Sequence, residues 1–383
     1  MITLCSDIID KQDISKLSDW LLEMPRLTKG QKTLEFEAKF SEFLGCKHSI
    51  FCNSGSSANL LITSALLQSN RLRNNKIVIP QISWSTTLFP SMQLGLHPIL
   101  CDCNRTNLGI DVEHFKKIIK EENPAAIILV HVLGFDSNIK VISDLCKEND
   151  IILIEDTCES LGSQTDNQHL GTFGLASSFS FYFGHHISTI EGGMVCTDDD
   201  EFAEIIKMIR SHGWDRDLSE HRKKAYQDHW KIKGIDSLYT FYYTGFNLRS
   251  TDLQAFLGIN QIDKIPHIVK RREENYLLYN ELLEWQTWTP TPTVDQNVVS
   301  NMGYPLIVKN RDAIYRSLNE NNIECRPLIS GSMGMQPAWI DQYGPCPSPN
   351  ASVIDSMGMY VPNHQDLTLE QVELICNTIK ESL

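Results

Sequence analysis

Lysine is missing from the middle of this chain. None occurs between Lys147 and Lys207, although the segments on either side carry several. Any chemistry placed in that span must work without a primary amine on a side chain. Positive charge is short overall as well: 34 Lys and Arg face 48 Asp and Glu, a net charge of −14 at pH 7. That balance argues against a general affinity for nucleic acid or for an anionic membrane. It leaves room for an anionic small molecule, which a few placed arginines and helix N-termini can hold. No apolar run approaches the roughly 20 residues of a membrane span. The start, Met1 to Asp7, shows no basic region followed by an apolar core, so no secretory signal is expected. Eleven cysteines are scattered, several inside apolar runs (Cys52, Cys158, Cys196), the usage expected of a reduced, cytoplasmic protein. The Cys101-Asp102-Cys103 pair has the spacing of neither a zinc ribbon nor a redox pair, so no metal site is expected. Internal repeats and low-complexity tracts are absent too.

What is present reads as an α/β protein. Apolar residues make up 42% and charged residues 21%, ordinary for a soluble globular chain, and 383 residues suffice for a large domain plus a smaller one. Residues 9–24 and 33–44 carry helical spacing, with Phe36, Phe40 and Phe43 recurring on one face. From about 76 to 200, short apolar runs (77–80, 125–130, 151–154, 194–196) alternate with helical stretches near 111–121 and 138–148. Such alternation implies a mostly parallel sheet covered on both faces, with ligands beyond the carboxyl ends of its strands. A long helical pattern from Asp252 to Glu281 leads onward. The remainder mixes a strand at 304–308, helices near 311–321 and 367–382, and a Pro/Gly/Ser-rich loop at 327–350. The expected division is a large domain over 1–260 and a small α+β domain over 261–383.

Three features converge on one cofactor. In the stretch 49–61 an apolar run meets a Ser/Gly-rich turn, Ser54-Gly55-Ser56-Ser57, that opens an Ala/Leu-rich helix. The N–H groups of such a helix start suit a phosphate, although an N-capped helix with no ligand reads the same way. Trp84 follows a strand end and could stack on a flat ring or pack in a core. Asp156 ends the run 151–156, where it could cap a helix or keep a heterocyclic nitrogen protonated for an electron-sink cofactor. Together they point to pyridoxal phosphate (PLP). The stretch 178–195 supplies a fourth element: Ser180 in an apolar run, then His185 and His186, then a Glu191-Gly192-Gly193 turn.

Over most of its length the chain resembles the PLP-dependent sugar aminotransferases that act on nucleotide-linked keto sugars. The resemblance is carried by Phe36-Glu37 with Phe40, 54–58, Glu155-Asp156, 178–181, 191–193, Ser211-His212-Gly213, 245–249 and 252–255. It implies PLP-dependent transferase fold type I and a homodimer with shared active sites. Gly55, Ser56 and Ser180 would hold the cofactor phosphate, joined by Asn247 of the partner subunit. Trp84 would stack on the ring and Asp156 would pair with its nitrogen.

The chain departs from that family at two positions. The lysine expected five residues after Ser180 is His185, and an imidazole cannot form the covalent imine that a primary amine forms with the cofactor aldehyde. The usual glutamine three residues after Asp156 is Glu159, counted here with the cofactor-binding set. Both departures match the 3-dehydratase branch, which makes 3-deoxy sugars, and the match favours GDP as the nucleotide. The expected reaction uses PLP bound non-covalently and converted by glutamate to pyridoxamine phosphate (PMP). His185 acts as base and then as acid while the C3 hydroxyl leaves, and ammonia is released. His186 is the second candidate base. A related branch carries an iron–sulfur cluster, but the cysteines after the histidine pair (Cys196, Cys325, Cys346, Cys376) include no closely spaced group. Arg326 and Ser330, with Lys29, His212 and Arg249, are candidate contacts to the sugar nucleotide. The rival readings are a true 4-keto sugar aminotransferase and a non-catalytic sensor on the same fold.

Overall fold

A computed structural model describes residues 1–283 and 290–383. Helices α1 (Lys11–Leu22) and α2 (Gln31–Leu44) precede β1 (His48–Cys52). Strand and helix then alternate through α3 (Gly55–Gln68), β2 (Lys76–Pro80), α4 (Ser85–Gln93), β3 (His97–Cys101), α5 (Val112–Glu122), β4 (Ala126–Val130), α6 (Ile139–Glu148) and β5 (Ile152–Asp156). A short hairpin of β6 (Gln164–Thr165) and β7 (Gln168–His169) separates β5 from β8 (Ala176–Ser180) and β9 (Gly193–Thr197). Seven strands form one sheet in the order β1-β9-β8-β5-β4-β2-β3, in which only β9 runs against its neighbours. The expected apolar runs are therefore strands of a mostly parallel sheet.

Burial within β4 shows why that sheet reads as continuous apolar runs. Ala126 and Ile128 pack toward α3 and α7 (Asp200–Arg210), whereas Ile127 and Leu129 pack toward α5 and α6. With helices on both faces, every position of β4 is buried and apolar.

The chain continues through α8 (Glu220–Trp230), α9 (Asp252–Ile262) and α10 (Ile265–Leu283). The single helix expected over 252–281 is thus two. Lys264 marks the break, its ammonium tied to Asp10 (2.8 Å), Asp13 (2.6 Å) and the Ile8 carbonyl (3.0 Å). Pro266 then sits in the first turn of α10, where a missing N–H costs nothing. Strand β10 (Gln296–Val298) pairs with β6, and a second antiparallel sheet joins β11 (Gly303–Ile307), β13 (Gly358–Pro362) and β12 (Arg326–Pro327). Around it lie α11 (Arg311–Glu320), α12 (Pro337–Tyr343), α13 (Pro349–Met357) and α14 (Leu369–Lys380). Helix α12 lies inside the segment read as a loop, started by Pro337 at its first position. Helix α10 bridges the two halves: Ile265 and Ile268 pack with Phe36 and Phe40, while Tyr276 and Tyr279 pack against β11 and β13. Among the described residues no helix is long and apolar enough to cross a membrane.

Candidate active site

A cavity of about 390 Å³ opens at the carboxyl ends of β4, β5 and β8, whose Val130, Asp156 and Ser180 line it. The start of α3 and Trp84 form one wall, and Arg326 and Tyr360 from the second sheet face them. The serine stretch reaches this place by strand alternation. Phe179 and Phe181 point down into an aromatic cluster, with Phe181 5.5 Å from Phe36 and 5.4 Å from Phe40 between ring centroids. Ser180 therefore faces the cavity. Beyond it the loop closes on itself: Thr189 N–H donates to the Phe181 carbonyl (2.9 Å), and His185 N–H to that of Tyr182 (3.0 Å). His185 lines the cavity, whereas His186 is fully buried behind it and donates Nε2–H to the Ser300 carbonyl (3.0 Å). The two candidate bases are thus separated by geometry.

The residues fit PLP on three counts. First, helix α3 begins against β8 with Ser54 as its cap, the Ser54 hydroxyl accepting from Ser57 N–H at 3.0 Å. A Cβ on Gly55 would sit 2.5 Å from the Ser180 Cβ, so only glycine permits the approach. The result is a cradle of first-turn N–H groups beside a hydroxyl, shaped for a phosphate. Second, Asp156 is buried yet held by three donors: Asn59 Nδ2 (2.8 Å), Thr87 Oγ1 (2.8 Å) and Cys158 N–H (3.2 Å). Its carboxylate is fixed facing the cavity, with acceptor capacity left for a ring N–H. Third, Trp84 is 53% exposed, an indole face offered to the cavity instead of the core. None of the described lining residues is a lysine, and Arg326, paired with Glu324 at 3.2 Å, is the cation among them.

Burial sets the protonation states. It pushes the Glu159 carboxyl up to about 8; the N–H of Leu133, bonded at 2.8 Å, opposes the rise and the charge of Asp156 adds to it. Glu159 is therefore mostly a neutral hydrogen-bond donor at pH 7. Burial drives His185 down to about 4, opposed by Asp156 and the Cys158 carbonyl and assisted by Arg272. His185 is the free base at neutral pH, with its buried Nδ1 unpartnered.

Gly55, Ser56, Trp84, Asp156, Glu159, Ser180, His185 and Arg326 are thus brought together. Other candidates fall elsewhere. Lys29 is tied to Asp217 at 3.0 Å. Asn247 accepts from Arg249 Nε at 3.0 Å, beside His212, outside this cavity. Ser330 donates to the Ser83 carbonyl, and its neighbour Ile329 does the lining. Sequence reasoning missed Asn59 and Thr87, each three residues along a helix from Ser56 and Trp84, a spacing that puts them on the same face. It also missed Leu4, Cys5 and Tyr360, for which no local signal exists.

The model of the DegT/DnrJ/EryC1/StrS aminotransferase family matches residues 8–380. The chain is 32% identical to GDP-4-keto-6-deoxy-D-mannose 3-dehydratase of Yersinia pseudotuberculosis, over 99% of this chain and 98% of that protein. It is similar to a solved structure of a histidine-to-asparagine mutant of GDP-4-keto-6-deoxymannose-3-dehydratase with bound GDP-perosamine. That match has a TM-score of 0.90 and 29% identity, covering 99% of this chain and 100% of the other. A structure of the same enzyme with a trapped PLP-glutamate geminal diamine gives a TM-score of 0.88 at 29% identity, covering 99% and 100%. The fold is fold type I of the PLP-dependent transferases, α/β with a mostly parallel central sheet. With the family model spanning nearly its whole length, the chain belongs to the DegT/DnrJ/EryC1/StrS aminotransferase family.

Proposed function

We propose that this protein is a PLP-dependent 3-dehydratase. It removes the C3 hydroxyl of a GDP-linked 4-keto-6-deoxy sugar, with glutamate as amino donor, and yields a 4-keto-3,6-dideoxy sugar and ammonia. The observation that carries this reading is a neutral His185 in a cavity whose described lining has no lysine. The relatives support it, since two of them bear the 3-dehydratase name and one solved form holds PLP and glutamate.

Bound PLP, aminated by glutamate, supplies the amine that joins the C4 ketone and a ring that accepts the electron pair. The chain's part is binding and proton transfer. Gly55, Ser56 and Ser180 would hold the phosphate, Trp84 would stack on the ring, and Asp156 would accept its N–H. Glu159 donates to the cofactor from its neutral form. His185 takes the proton and passes it to the departing hydroxyl, the two-way use that suits an imidazole. Among the described lining residues no side-chain amine would compete for the cofactor. Arg326 faces the sugar diphosphate.

The active unit in this reading is a homodimer in a reducing cytoplasm, where all eleven cysteines stay free. Trp230, Ile235, Leu238, Tyr239 and Phe241 are exposed on and after α8, apolar side chains that a partner subunit would cover. Asn247 of the partner subunit would complete the phosphate site. Light scattering should give twice the mass of one chain; a single-chain mass at micromolar concentration would remove this part.

The direct test supplies PLP, excess glutamate and GDP-4-keto-6-deoxymannose. Ammonia release with loss of the C3 hydroxyl is the expected result. A stable 4-amino sugar would mean an aminotransferase, and no turnover across a panel of 4-keto sugar nucleotides would mean a sensor.

A further inference from the structure

Behind the cavity wall lies a group of buried polar side chains that the reading above leaves unused. Arg272, on α10, is 1% exposed, and its guanidinium meets carbonyl oxygens: Met302 at 2.9 Å, Asn301 at 3.2 Å, and Asn363. No carboxylate bonds to it among the described residues, and its Nε has no partner. A buried cation with no carboxylate bonded to it is costly, and Asp366 acts on this one only through space, so its retention calls for a reason. Burial lowers its pKa to about 10, which still leaves it charged at neutral pH.

Three consecutive carbonyls join this cation to the histidine pair. Ser300 takes the Nε2–H of His186, while Asn301 and Met302 take Arg272. Met302 itself lines the cavity with His185. Asn363 closes the group by donating Nδ2–H to the Arg272 carbonyl at 3.1 Å. The guanidinium is therefore fixed one layer behind the wall that carries His185.

We infer that Arg272 is a positioning residue for the dehydration: its charge, held behind the cavity by carbonyl oxygens, joins burial in keeping His185 in the base form. The inference rests on His185 as the base. The other groups facing His185 do not replace this effect. From the end of β5, Asp156 pulls the other way, but a ring N–H paired with it would take up that charge, whereas among the described residues no carboxylate bonds to Arg272 and Asp366 acts on it only through space. Glu159 and Cys158, on the same segment, are held neutral by burial at pH 7. Glu191 lies beyond the loop, Cys5 on the N-terminal segment, and Arg326 with Tyr360 on the second sheet. Arg326 is already paired with Glu324. His186 is buried in the neutral form, with burial the main cause and Arg272 the next.

The test is an imidazole NMR titration of the PLP-loaded, full-length enzyme, with the His185 signal assigned by its absence from His185→Asn. In the wild type His185 should stay neutral down to about pH 5. Arg272→Gln keeps a donor for the carbonyls but removes the charge. It should raise the midpoint by about one pH unit, the effect of one charge at an effective dielectric of roughly 20, and move the acid limb of kcat with it. Arg272→Lys, which keeps the charge, should leave the midpoint near that of the wild type. A folded Arg272→Gln with an unchanged midpoint overturns the inference, as does Arg272→Lys shifting as far as Arg272→Gln. A wild-type midpoint at 6.5 or above overturns it even if neither variant folds. Because the titration needs no turnover, failure here is distinct from failure of the base assignment, which would show as full dehydration by His185→Asn.

Discussion

His185→Asn should lower the rate of dehydration by about 10³-fold, within the roughly 10²–10⁴-fold that a positioned acid–base group contributes. Asparagine keeps a similar shape and a polar end, so the phosphate cradle and the Asp156 carboxylate stay in place and PLP absorbance on titration should be nearly unchanged. It cannot carry a proton. Nor can a neighbour substitute: His186 is turned away and committed to the Ser300 carbonyl, and Glu159 is mostly protonated at pH 7. Single-turnover ammonia release measures the loss. A variant running within a few-fold of the wild type would take the base role away from His185.

Glu159→Gln should stabilise the protein, and more so as the pH rises. The folded carboxyl sits at about 8 against an ordinary value near 4.5. Its folded pKa is raised, so its favourable, neutral state is fully present below 4.5, and the stability it contributes is lost as pH climbs toward 8. Each pH unit corresponds to about 1.4 kcal/mol, giving an upper limit of about 5 kcal/mol across the window and about half that after local relaxation. Glutamine can still accept the Leu133 N–H and never ionises. The variant should gain several degrees in Tm at pH 8 and little at pH 5. A pH-independent difference, or a loss at pH 8, would show that Glu159 is ionised in the fold. The histidines work in the opposite direction. His185 and His364 are both lowered to about 4 by burial, so their contribution is present above about 6.5 and is lost as pH falls through 4. The wild-type protein should therefore be most stable in mildly acidic solution.

Local signals carried most of the sheet. Strands buried on both faces leave near-continuous apolar runs, and Ser180 could be counted five residues forward to His185. That count, taken from the family resemblance, lands on a residue that lines the cavity, because Phe179 and Phe181 are locked downward as the chain leaves β8. Features made by distant partners were not legible. The α9–α10 break depends on Lys264 reaching Asp10 and Asp13, about 250 residues back along the chain. Lys29 looks like any surface lysine until Asp217 claims it. Arg272 follows Lys270 and Arg271 in a basic run, and only the three-dimensional structure separates the buried cation from the exposed Lys270 and the half-buried Arg271.

The cavity wall built from Leu4 and Cys5 sets an order of events during synthesis. Leu4 N–H is held by the Glu324 carboxylate at 2.9 Å, and the backbone of Ile2 pairs at Ile323. These residues must wait for the segment around residue 324, made some 320 residues later, to leave the ribosome. At roughly 5–20 residues per second, that delay is tens of seconds. The parallel sheet and its phosphate cradle can form in the meantime, but the nascent chain presents an open-sided site. Closure of the catalytic chamber follows the parallel sheet and cannot precede synthesis of the second sheet's Glu324 segment.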